Sequence, residues 1–125
     1  MDPNRYKHPA ILLADARRAL EPALTVAGFV YDGRNQPAPV NHIYLDYRRA
    51  GDAFRLSWDT RHDESFLGIK AELLPETGPL LTIASLDFRD LSGSRLEGID
   101  LTREVERRLF GFVAAVSHWL SGVKP

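Results

Sequence analysis

The stretch Asn41–Leu73, NHIYLDYRRAGDAFRLSWDTRHDESFLGIKAEL, decides the fold. Within it NHIYLDYRR, AFRLSWDT and SFLGIKAEL each alternate apolar with polar residues, the period of a strand with one face buried. Short polar segments separate them, so the three should run as successive antiparallel hairpins. Ile43, Leu45 and Tyr47 share one face of the first; Phe54, Leu56 and Trp58 share one face of the second. Only a connection of even length keeps these two sets on the same side. A two-residue turn at Gly51-Asp52 would set Arg48 against Arg55, which is unfavourable. A four-residue turn, Arg49–Asp52, instead pairs Asp46 with Arg55 and His42 with Asp59, and is the register expected.

The same reasoning carries forward along the chain. A four-residue turn at Arg61–Glu64 would place Trp58 opposite Leu67 and Leu56 opposite Ile69. Pro75, Gly78 and Pro79 mark the next connection. A six-residue loop there sets Leu73 opposite Leu80, with Thr82, Ala84, Leu86 and Phe88 on the inner face. Leu81 and Ile83 then point to the other face, so this strand should be covered on both sides.

Helices are expected at both ends. Leu12, Ala16, Ala19, Leu20, Ala23, Leu24 and Ala27 recur at helical spacing after Pro9, with Pro22 expected to kink the helix or split off its last turn and Gly28 to stop it. Met1–His8 reads as a loose tail, and Phe29–Tyr31 as a possible short strand before the Asp32-Gly33 turn. Asp100 is a candidate N-cap. From there Val105, Leu109, Phe112, Val113, Val116, Trp119, Leu120 and Val123 form the strongest helical stripe in the chain. Phe110, Phe112, Trp119 and Trp58 are all expected in the core. The fold class is α+β: a single domain over residues 1–125, with a four- to five-stranded antiparallel meander and both helices on one face.

Composition narrows the function classes. A chain of 125 residues with 44% hydrophobic and 26% charged residues can build one ordinary core. Sixteen basic residues against 17 acidic ones give no global field toward nucleic acid or an anionic membrane. With no cysteine there is no thiol nucleophile, disulfide or thiolate metal site. Ala10–Ala14 is too short for a signal sequence, and no run approaches a membrane span, so a cytoplasmic location is expected. No phosphate-binding glycine loop, nucleophile elbow, paired-histidine helix or calcium loop occurs. No cofactor is expected, and an enzyme is the less favoured reading.

Two places could carry function. The register gathers His42, Asp59 and the turn Arg61-His62-Asp63-Glu64 at one end of the sheet. Two imidazoles and three carboxylates there could bind a divalent metal or supply a general acid and base. The simpler reading is a cross-strand His42–Asp59 pair beside a charged, soluble turn. The second place is the outer sheet face, where Tyr44, Phe66, Leu81 and Ile83 stand beside Asp46, Arg48, Arg55, Lys70 and Glu72. An aromatic and aliphatic patch with a charged rim is what a protein-contact surface looks like.

In element order alone the chain resembles small bacterial α+β proteins such as immunity proteins and secretion chaperones. No motif carries a residue across that resemblance. The expected outward Leu81 and Ile83, the near-neutral charge and the absence of catalytic motifs make an adaptor-, chaperone- or immunity-like interaction module the leading expectation. Such a module would be dimeric, or bound to another protein, through a sheet face or edge.

Overall fold

The computed structural model describes residues 9–32, 42–59, 68–88 and 98–123. Helix α1 spans Pro9–Val26. Five strands follow, β1 (Val30–Asp32), β2 (His42–Arg49), β3 (Asp52–Asp59), β4 (Gly68–Pro75) and β5 (Leu81–Asp87). Helix α2 (Gly98–Ser121) closes the order. The strands form one antiparallel sheet in sequence order, β1-β2-β3-β4-β5. The α+β meander read from the sequence is therefore present, with its short fifth strand at Val30–Asp32.

The core lies between one sheet face and the two helices. Tyr47, Phe54, Leu56, Ile69, Ala71, Leu86 and Phe88 bury against Leu12, Leu13, Ala16, Leu20 and Leu24 of α1 and Val105, Leu109, Phe112, Val116 and Leu120 of α2. The period of α1 brings Leu13 into this stripe and leaves Ala19 exposed, a small correction to the expected set. Helix α1 runs through Pro22 as one element, with Pro22 on its exposed side. The helix ends at Gly28, which takes φ 90°. Its N–H bonds to the Thr25 carbonyl at 3.0 Å, and the Phe29 N–H bonds to that of Leu24 at 2.9 Å. That double bond pattern is the glycine-terminated helix end, with Phe29 packed back on the core.

The β2–β3 register is the expected one: Asp46 opposes Arg55 and His42 opposes Asp59. Arg49 and Asp52 close the hairpin as a pair across Ala50-Gly51, with Gly51 at φ 90°. The β3–β4 register differs by two residues. Trp58 faces Ile69 rather than Leu67, and Leu56 faces Ala71 rather than Ile69. Alternation fixes parity but not loop length, so the inner face is unchanged while the connection is longer.

The β4–β5 pairing departs further. Ala71 opposes Ala84 while Glu72 opposes Thr82, so Ile83 is the extra residue of a bulge. Leu73 consequently meets Leu81, not Leu80. Ile83 is half-buried and packed against the core instead of standing on the outer face. Leu81 falls in line with Leu73 on the helix-covered side, and Thr82 moves to the outer side. Alternation is blind to an inserted residue, which is why the expected outward Leu81–Ile83 pair does not form.

In α2, Asp100 lies inside the first turn rather than before it, and the Thr102 hydroxyl donates to the Gly98 carbonyl at 3.2 Å. Phe110 is 72% exposed, against the expectation of a core residue. It stands on the flank of a helix whose buried line runs through Leu109 and Phe112. Trp58 and Trp119 are half-buried on the core edge, and the buried Trp58 indole N–H has no acceptor among the described residues.

Candidate functional site

The sheet face away from the helices is ordered in rows. One runs Asp32, Asp46, Arg55, Glu72, Thr82 across all five strands. A second runs Val30, Arg48, Ala53, Leu74 along one end, and a third runs Tyr44, Ser57, Lys70, Ser85. Arg55 grips Asp46 with two bonds of 2.7 and 3.0 Å, and its guanidinium lies 4.5 Å from the Tyr44 ring centre. Arg48 reaches Asp32 at 2.5 Å. These charges satisfy one another within the chain, so the middle of the face is an internally neutralised lattice and not a bare basic or acidic patch. Tyr44, expected on a contact surface, is half-buried and held by that stacking.

On the outer face Val30 of β1 is exposed, and two further exposed apolar residues adjoin in sequence at one end of β5. Leu80 is 51% and Leu81 46% exposed, and among the described residues β5 pairs with β4 alone. Strand β5, LTIASLD, contains no lysine, arginine or proline, the residues that usually blunt a sheet edge. Among the described residues its blunting devices are the bulge at Ile83 and the charge of Asp87 at its far end. At the other end, Arg108 of α2 donates to the Asp87 main-chain carbonyl at 3.1 Å. The same Arg108 bonds Glu104 at 2.9 Å; the hydrogen bonds from Arg107 and then Arg108 hold the Glu104 carboxyl down to about 2. The opposite edge, β1, is only three residues long.

The histidine–carboxylate end is reached only in part. His42 opposes Asp59 in register, and Gly68 opposes Asp87 nearby. His62, Asp63, Glu64 and Phe66 lie outside the described residues. Among the described residues no group of three or more histidine, aspartate or glutamate side chains could hold a metal ion.

A further polar cluster escaped the sequence reading. Arg17 and Glu21, one turn apart on α1, reach down to Tyr47 of β2. Arg17 Nε donates to the Tyr47 hydroxyl at 2.8 Å, and that hydroxyl donates to Glu21 Oε2. The Arg17 guanidinium also lies 3.8 Å from the Tyr31 ring centre. An Arg–Glu pair at i, i+4 facing a strand tyrosine was the available signal. The network fastens α1 to the β1–β2 edge, and every member has a partner.

Burial, followed by the hydrogen bond to Glu21, pushes the Tyr47 hydroxyl above the ordinary tyrosine value, against the lowering pull of Arg17. Because the folded-state value exceeds the unfolded one, this contribution is complete below about pH 10 and is lost as pH rises toward the folded value. The urea midpoint should therefore fall from about pH 8 to about pH 11, and should fall less in Tyr47→Phe. Equal slopes for the two proteins would rule out this role for Tyr47.

No family model, curated protein or solved structure matches the chain.

Proposed function

We propose that the chain is a small cytoplasmic protein-interaction module that joins a second copy of itself, or another protein, through the edge of β5. The observation that carries this reading is the edge position of β5 among the described residues, with Leu80 and Leu81 exposed at its end, away from the partnered Asp87. Such an edge offers a row of main-chain donors and acceptors, and its exposed leucines add apolar area that a partner can remove from water. The neutralised lattice on the outer face fits a protein partner better than a polyanion, since its arginines already hold carboxylates. Among the described residues no helix is long and apolar enough to cross a membrane.

Light scattering over a concentration series tests the homodimer directly. The expected mass approaches twice the 14.1 kDa of one chain as concentration rises. Leu81→Asp should weaken the dimer about tenfold or more, equivalent to about 1.4 kcal/mol, with unchanged circular dichroism. Amides of β5 should exchange more slowly at high concentration. A single-chain mass throughout, or a dimer indifferent to Leu81→Asp, would overturn self-pairing through β5.

The second reading, a metal or small-ligand site at the His42 end, is supported by the pairing of His42 with Asp59. It predicts that zinc raises Tm by mass action, and that His42→Ala removes the rise. No rise in wild type sinks it.

A further inference from the structure

We draw no further inference here: the strongest candidate, the exposed flank of α2 at Phe110, Gly111, Ala114 and Ala115, is an unpartnered helix face, and nothing in the structure shows what covers it.

Discussion

Phe54→Ala is expected to lower the unfolding free energy by about 3–5 kcal/mol, the range for deleting a fully buried aromatic ring. Phe54 is 0% exposed and sits on the central strand, between Tyr47 of β2 and Leu73 of β4. Its ring centre lies 6.1 Å from that of Phe29 and 6.2 Å from that of Tyr47, a distance at which tilted rings attract. The neighbours belong to a sheet and to the end of a helix, so neither can collapse far into the cavity. Against a total stability of about 5–15 kcal/mol this is about a fifth or more of the whole, and Tm should fall by about 10–20 °C. Phe110→Ala supplies the control, since an exposed ring should change stability by no more than about 0.5 kcal/mol in the monomer. Urea unfolding of both variants checks the pair. A Phe54→Ala cost below about 1 kcal/mol would contradict the packing.

Arg49→Ala should cost about 2–4 kcal/mol, because it strips partners from two other polar groups in a mostly covered site. Arg49 holds Asp52 through Nε at 2.6 Å and Nη2 at 2.9 Å, with the two side chains 17% and 14% exposed. Its Nη1 donates to the Ala27 carbonyl at 2.8 Å, and its guanidinium lies 4.3 Å from the Phe29 ring centre. One side chain thus joins the β2–β3 hairpin to the end of α1. Lysine cannot reproduce a planar, two-pronged donor that also stacks, so Arg49→Lys should recover less than half of the loss. A double-mutant cycle with Asp52→Ala should return a coupling of about 1–3 kcal/mol. Full stability in Arg49→Lys would show that charge alone suffices there.

The sequence was most legible where two constraints acted on the same residues. For β2–β3, apolar alternation fixed the parity, and the clash of Arg48 with Arg55 selected between the remaining even loops, so Asp46 meets Arg55 as expected. For β3–β4 only parity was available, and the true pairing lies two residues further on. The bulge at Ile83 leaves no mark in a pattern of alternation, since LTIASLD reads equally well with or without an inserted residue. Phe110 shows the complementary limit. A helical stripe has a width, and an aromatic residue on its shoulder looks like core until the neighbouring helix is placed. The candidate surface was altered by the bulge, which withdrew Ile83 and realigned Leu81. Its remaining apolar exposure includes Leu80, which strand pairing alone does not single out.

The meander also separates the chain into local and remote acquaintances. Each strand pairs with the next in sequence, so four hairpin-like closures can form soon after their residues are made. Helix α1 has no such company: much of the apolar stripe through Leu12, Leu20 and Leu24 is covered jointly by the sheet and by α2, which comes last. On the ribosome α1 therefore emerges before the sheet and α2, and waits for both to cover it. That interval, rather than the finished fold, is when the nascent chain presents its largest sticky surface, and when a chaperone would find most to hold.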